Sequence, residues 1–354
     1  MNEAKYVGLD VHQSSTVAAV HNERGKRVME SILETQSETI QSFLKGLKGT
    51  VHVTFEEGTH AAWLYDVIKP LVSELIVCNP RANKLLAAGN KNDRVDADKL
   101  AQLLRGGHLK GVYHGGLSVR ALKELVHNYD ALVEDTTRVM NRIKAIFRGR
   151  AIRCAGRDVY HQQHREEWLE KLMEAAVRRR AEFLYEELES LKVLRREAKK
   201  EMLREARRHS AYQLLKQIPV MGPIRVAAVM ARIGSPHRFR TKRQLWTYIG
   251  LAVTTRSSAD YEVERGRVRR RVKSVVTRGL NTNYNHRLKY VFKSAALDGI
   301  RREPFANFYQ NLIKQGMRPE MARLTLARKI AALTLRIWKK GEQFNELRLK
   351  RETA

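Results

Sequence analysis

The sequence predicts an α/β domain followed by a mostly helical remainder, and three observations carry that reading. Residues 5 to about 105 alternate short apolar runs with amphipathic stretches. From Ser118 onward the apolar spacing is helical. Between Glu166 and about Arg208, about 43 residues pass without Gly or Pro.

The elements follow in order. Tyr6 to Leu9 is a short apolar strand ending at Asp10, and Thr16 to Val20 is a second strand. Asn22-Glu23-Arg24-Gly25 supplies hairpin-turn chemistry, and Arg27 to Leu33 returns as a third strand. Ser37 is placed to cap a helix whose apolar face holds Ile40, Phe43, Leu44 and Leu47. Val51 to Phe55 is a fourth strand ending at Glu56. A helix over Ala61 to Leu71 follows, then a fifth strand, Leu75 to Cys78, closed by Asn79-Pro80. Three consecutive strands and then β-α-β units is the element order of a ribonuclease H-like fold.

The helical part opens with Ser118 to Phe147. In the long stretch after Glu166, Val177, Ala181, Leu184, Leu188, Leu191, Ala198 and Met202 alternate spacings of four and three, with Arg195 in the one polar slot. That is a coiled-coil seam; a long helix packed on its own domain is the competing reading. A second globular part begins near Tyr212. Its Ile218-Pro219-Val220-Met221-Gly222-Pro223 turn between apolar helices is helix-hairpin-helix-like, a turn that offers backbone N–H groups to a phosphate. Residues 251–263 are polar and partly strand-like, and helices close the chain. The expected domains are 1–110, 111–210 and 211–354.

Composition limits the function. Lys and Arg number 67 against 38 acids, a net charge of +29 in a chain that is 43% hydrophobic. A folded chain with that excess calls for a polyanionic partner, first of all nucleic acid. No apolar run approaches the roughly 20 residues of a membrane span, and the first residues lack the apolar core of a signal peptide. Cys78 and Cys154 form neither a disulfide framework nor a zinc pattern. A reducing cytoplasm containing DNA is the expected location.

Negative charge concentrates in KNDRVDADKL, residues 91–100. Asp93 and Asp96, three apart, lie on one side of a starting helix. Capping and dipole interactions are the bland explanation for either one alone. Asp98 points roughly 200° round the helix from Asp96 and reads as a solvated residue. Asp10 and Glu56 stand at strand ends, with Glu57 the rival of Glu56, because neighbours on an extended chain point oppositely. Carboxylates gathered this way repel one another unless a cation such as Mg²⁺ joins them. The second candidate is Thr254 to Asp260, hydroxyls around Arg256 just ahead of a basic run. That run, Arg265, Arg267, Arg269, Arg270, Arg271 and Lys273, suits phosphate contact.

With these residues in view the chain resembles the DEDD transposases of the insertion-sequence group that includes the Piv-type DNA invertases and is described as bridge-RNA-guided recombinases. The carriers are Gly8-Leu9-Asp10, Phe55-Glu56-Glu57-Gly58-Thr59, Asn79-Pro80 and Lys91-Asn92-Asp93-Arg94-Val95-Asp96-Ala97. In the C-terminal part they are Ile218 to Gly222, Tyr248 to Leu251 and Arg256-Ser257-Ser258. The resemblance implies a RuvC-like domain in which Asp10, Glu56, Asp93 and Asp96 bind Mg²⁺. It implies a nucleophilic serine that matches Ser258 best, with Ser257 the rival. It also implies a coiled-coil dimerisation arm over Glu166 to Arg208, a dimer of dimers, and a structured guide RNA that pairs with target and donor DNA in a bacterial or archaeal host. Two positions depart from the family pattern. Ala259 follows Ser258 where Gly is common, and Glu56-Glu57-Gly58 is one residue shorter than E-x-x-G. Three rival readings remain: a metal-only, junction-resolving nuclease, a protein-read DNA invertase without guide RNA, and an inert nucleic-acid-binding protein.

Overall fold

The computed structural model describes residues 3–80, 92–115, 117–258, 261–264, 267–270 and 275–350. The chain divides into two compact units, Met1–His114 and Gly115–Ala354. The first is mixed α/β and the second mostly helical.

In the first unit β1 (Ala4–Val11), β2 (Ser15–Asn22) and β3 (Arg27–Glu34) form an antiparallel meander. The turn after β2 closes through the Gly25 amide donating to the Asn22 carbonyl (3.0 Å), with Gly25 at φ 78°. Helix α1 (Ser37–Gly46) leads to β4 (Thr50–Glu56), which pairs parallel with β1. Helix α2 (Ala61–Ile68) runs into a 3-10 turn (Lys69–Leu71) and then β5 (Glu74–Cys78), parallel to β4. Helix α3 (Asp93–Arg105) completes the unit. The strand order β3-β2-β1-β4-β5 is compatible with a ribonuclease H-like domain. All five predicted strands are present. Ser37 is not the cap of α1: Gln36 holds that position, and Ser37 is the first helical residue, its hydroxyl 3.0 Å from the Gln41 amide.

Both faces of this sheet are covered, which explains why β1, β2 and β4 read as apolar runs rather than as alternating ones. Val7, Leu9, Val53 and Phe55 pack against Ile40 and Leu44 of α1 and Leu64 and Ile68 of α2. Val17 and Ala19 pack on the other side against Ala97 of α3. Helix α3 sits directly on β1 at Gly8, where a Cβ would lie 2.2 Å from the Ala97 carbonyl oxygen.

The second unit starts with α4 (Leu117–Arg148), α5 (Arg165–Glu170) and α6 (Ala175–Arg207). The single helix expected from Glu166 is therefore interrupted. The chain turns after Glu170, and Leu172 drops into the core at 3% exposure. The predicted seam of α6 faces this chain's own residues: Ala181 and Leu188 pack with Val139, Ile143 and Phe147 of α4, and Met202 packs with Leu122 and Val126.

Helices α7 (Ser210–Lys216) and α8 (Pro223–Ile233) flank the predicted turn. Ile218, Val220 and Met221 of that turn are buried. After α9 (Lys242–Tyr248), Gly250 at φ 68° lies against the Tyr284 ring. The strand-like stretch holds β6 (Val253–Ser258) and β7 (Tyr261–Glu264), and strands continue beyond it as β8 (Arg267–Arg270) and β9 (Val275–Leu280), where the sequence predicts a basic run and then helices. β6 pairs with β9 and β7 with β8, both antiparallel. Helices α10 (His286–Gly299), α11 (Phe305–Lys314), α12 (Pro319–Lys340) and α13 (Leu347–Lys350) close the chain. Among the described residues no helix is long and apolar enough to cross a membrane.

Candidate functional site

Asp10 is the penultimate residue of β1, and Asp93 opens α3. The cap of α3 is Asn92, whose side-chain oxygen accepts from the Val95 amide (2.8 Å). Asp93 and Asp96 are therefore not needed as caps, although both sit in the first turn, where the helix dipole favours them. Asp96 lies 3.7 Å from the Lys99 ammonium.

A residue that sequence reasoning passes over joins the acids. His12 Nε2 stands 3.3 Å from Asp10 Oδ2 and 3.5 Å from Asp93 Oδ1. One ligand atom from each of these three residues falls within 4.8 Å of the others, a grouping able to hold a metal ion. The only sequence signal is an Asp and a His two apart at a strand end. Burial pushes the Asp10 carboxyl above its ordinary range, His12 opposes that shift, and the charges of Asp93 and Asp96 add to it. An ionised Asp10 is thus costly here without a counter-cation.

Glu56 is the last residue of β4 and pairs with Cys78 of β5. Leu9 and Phe55 are register partners on β1 and β4, so Asp10 and Glu56 each stand one residue beyond that pair. In-register neighbours on parallel strands point to the same face. Glu56 is not among the three side chains whose ligand atoms converge. Its charge adds to the burial that pushes the Cys78 thiol up to about 12. Glu57 is engaged elsewhere: its carboxylate lies 2.8 Å from His114 Nε2, and the His114 ring stacks on Tyr65 of α2.

Asp98 does not sit on a solvated face. Its Oδ1 lies 2.7 Å from Nε2 of His21, and its Oδ2 accepts from Gln102 (2.6 Å). His21 is 2% exposed, with the Gly25 carbonyl 3.1 Å from its other ring nitrogen. Removing the carboxylate leaves a buried imidazole short of a partner. Asp98→Ala is expected to lower unfolding stability by about 1–3 kcal/mol, read from denaturant midpoints.

In the second unit Ser258 ends β6 opposite Val275, with Ser257 opposite Val276 and Arg256 opposite Thr277. Arg267 and Arg269 are exposed on β8 and stand opposite Glu264 and Glu262, and Arg270 stands opposite Tyr261. Arg265, Arg271 and Lys273 lie outside the described residues.

Comparison with known proteins bears on both halves. A DEDD transposase model of the IS110 group, described as "Transposase", matches residues 7–150. A model described as "Transposase IS116/IS110/IS902 family" matches residues 212–310. The chain is also 27% identical over 192 residues to a protein of Coxiella burnetii (strain RSA 493 / Nine Mile phase I) named "Transposase for insertion sequence element IS1111A". That similarity covers 52% of each chain, so this protein spans about half the length of the curated relative it matches. Two models of one transposase family, matched in order and taking in both the carboxylates and the serines, show that the protein belongs to the IS110 family of insertion-sequence transposases.

Proposed function

We propose that the chain is a DNA recombinase of an insertion sequence, guided by a structured RNA, that cuts DNA through a covalent phosphoserine. The observation that carries the reading is the meeting of Asp10, His12 and Asp93 where β1 ends and α3 begins. The carboxylate-rich donor set fits a hard divalent cation such as Mg²⁺. Asp10, Glu56, Asp93 and Asp96 would hold it, and when bound it would neutralise charge developing on phosphate oxygens.

In the proposed step the Ser258 oxygen attacks phosphorus. The Oγ–P bond forms as the bond from phosphorus to the leaving DNA oxygen breaks. The hydroxyl proton passes to a base, and the leaving oxygen takes up a proton. Attack by the other DNA strand on the phosphoserine returns the serine, so the exchange needs no free double-strand break. Arg256 and the arginines of β8 would bind phosphate, while base pairing to the RNA supplies the sequence. The family's dimer of dimers remains part of the proposal. With the α6 seam covered by α4, a dimer contact on α6 would use the face bearing Phe183 and Leu194, exposed by 54% and 49%.

Adduct trapping tests the mechanism. A nicked substrate should leave a protein–DNA adduct that survives denaturation in the wild type and in Ser257→Ala, and none in Ser258→Ala. Full cleavage by Ser258→Ala without any adduct would transfer the chemistry to water and make the protein a metal-only nuclease. Sequencing the RNA that copurifies tests guidance: without an RNA complementary to the element's junctions, the protein-read invertase becomes the better account.

A further inference from the structure

We infer that His12 is a nitrogen ligand of the cation site, and that it makes the site take a manganese-like dication in preference to magnesium. The inference rests on the cation reading above and changes its ligand set. Donor atoms at right angles around a six-coordinate cation of this size stand roughly 3 Å apart. His12 Nε2 already stands at 3.3 and 3.5 Å from one oxygen each of Asp10 and Asp93.

The backbone holds the residue there from both sides. The His12 amide donates to the Ser15 carbonyl (2.9 Å), and the His12 carbonyl accepts from the Thr35 hydroxyl (2.9 Å). The ring is thus presented by a fixed turn rather than by a loose end. Imidazole is a softer donor than carboxylate. Mg²⁺ gains little from it, whereas affinity for such mixed sites climbs from Mn²⁺ through the later first-row dications.

The test uses the full-length protein and Mn²⁺ or Mg²⁺ alone, without DNA. Titration calorimetry should give at least about tenfold tighter binding of Mn²⁺ than of Mg²⁺. His12→Ala should remove that preference by weakening Mn²⁺ alone, and His12→Gln should not restore it. Pulsed electron paramagnetic resonance of bound Mn²⁺ should show coupling to an imidazole ¹⁴N that vanishes in His12→Ala. Bound Mn²⁺ without ¹⁴N coupling, or an equal change in affinity for both metals in His12→Ala, would show that His12 is not a ligand of the ion. No binding of either metal to the wild type would bring down the cation reading itself.

A different observation supports a second inference, in the C-terminal unit. A groove of about 1180 Å³ runs along α12, and seven of its twelve lining residues are Arg or Lys. Lys329, Arg336 and Lys340 recur at spacings of seven and four, which puts them on one helical stripe. Arg240 contributes from the segment before α9, and Arg348 from α13. No carboxylate is among those lining residues; nearby Glu342 is held by Arg336 (2.7 Å) and Arg348 (2.9 Å). The α12 stripe and α13 lie beyond the family match, which ends at residue 310.

We propose that this groove holds the phosphate backbone of duplex DNA, the substrate class of a transposase. The combined variant Arg240→Ala, Lys329→Ala, Lys340→Ala should weaken binding of a 30-bp duplex. It should also flatten the plot of log affinity against log salt by about 2–3, close to one unit per lost phosphate contact. Arg240→Lys, Lys329→Arg, Lys340→Arg should keep the wild-type slope. An unchanged slope in the alanine variant, with thermal unfolding unaltered, would overturn the assignment. So would a change seen only with an RNA hairpin of equal length.

Discussion

Asp10→Asn is expected to abolish the strand cleavage proposed for this chain and, at the same time, to make the metal-free protein more stable. The two effects share one cause. Burial disfavours the ionised Asp10 carboxyl by more than His12 restores, and the charges of Asp93 and Asp96 add a smaller repulsion. The folded protein therefore binds the Asp10 proton more tightly than the unfolded chain does. The penalty is present above the raised folded value and disappears as pH falls below the ordinary value of 3.8. Asparagine has no charge to bury and keeps a similar shape. At neutral pH in EDTA it should raise the unfolding temperature, by about 1–4 °C as is common for a single stabilising substitution. That advantage should shrink steadily in melts at lower pH. Cleavage should fall by about 10³-fold or more, because a ligand of the charge-stabilising group is gone. A destabilised Asp10→Asn protein in EDTA would mean that Asp10 is a structural residue, not a strained functional one.

Gly8→Ala should be among the most damaging single substitutions, although Gly8 touches no proposed ligand. The new Cβ would lie 2.2 Å from the Ala97 carbonyl oxygen, 2.5 Å from the Ala101 nitrogen and 2.8 Å from the Leu100 Cβ. Two of these are backbone atoms of α3, which cannot step aside by changing rotamer. Either α3 lifts off β1 or the strand bends away from it. The expected cost is about 3 kcal/mol in denaturant unfolding. Because β1 carries Asp10 and α3 carries Asp93, the same displacement should weaken Mn²⁺ binding in the protein that still folds. Gly46→Ala is the control: nothing lies within 4 Å of the position its new Cβ would take, and it should bind metal as the wild type does. Equal behaviour of the two variants would refute the close-contact account.

Where sequence and structure differ, the reasons are physical and specific. Its angle on α3 alone assigns Asp98 to solvent, but its partner His21 lies 77 residues away on β2. Nothing local to α3 records that imidazole. The helix expected from Glu166 has no Gly or Pro to stop it, yet it breaks because burying Leu172 beside Trp168 and Leu169 outweighs continued helix propensity. Both α6 readings begin from the same seam, and helical spacing cannot say whether the covering helix belongs to the same chain; here α4 covers it.

Local patterns settle the class of each element in the N-terminal unit, because apolar runs of strand length and amphipathic helices are legible without any partner. Counting charges establishes the basic character of the chain, and ordered short motifs point to the transposase family. Which polar groups meet is a different matter, and long-range packing alone decides it. His12 carries no periodic signal, and its significance comes from Asp93, 81 residues later, arriving on the helix that Gly8 lets down onto β1. Which carboxylates must share one small volume, and what stands among them, depends on how α3 seats on the sheet, and no local spacing encodes it.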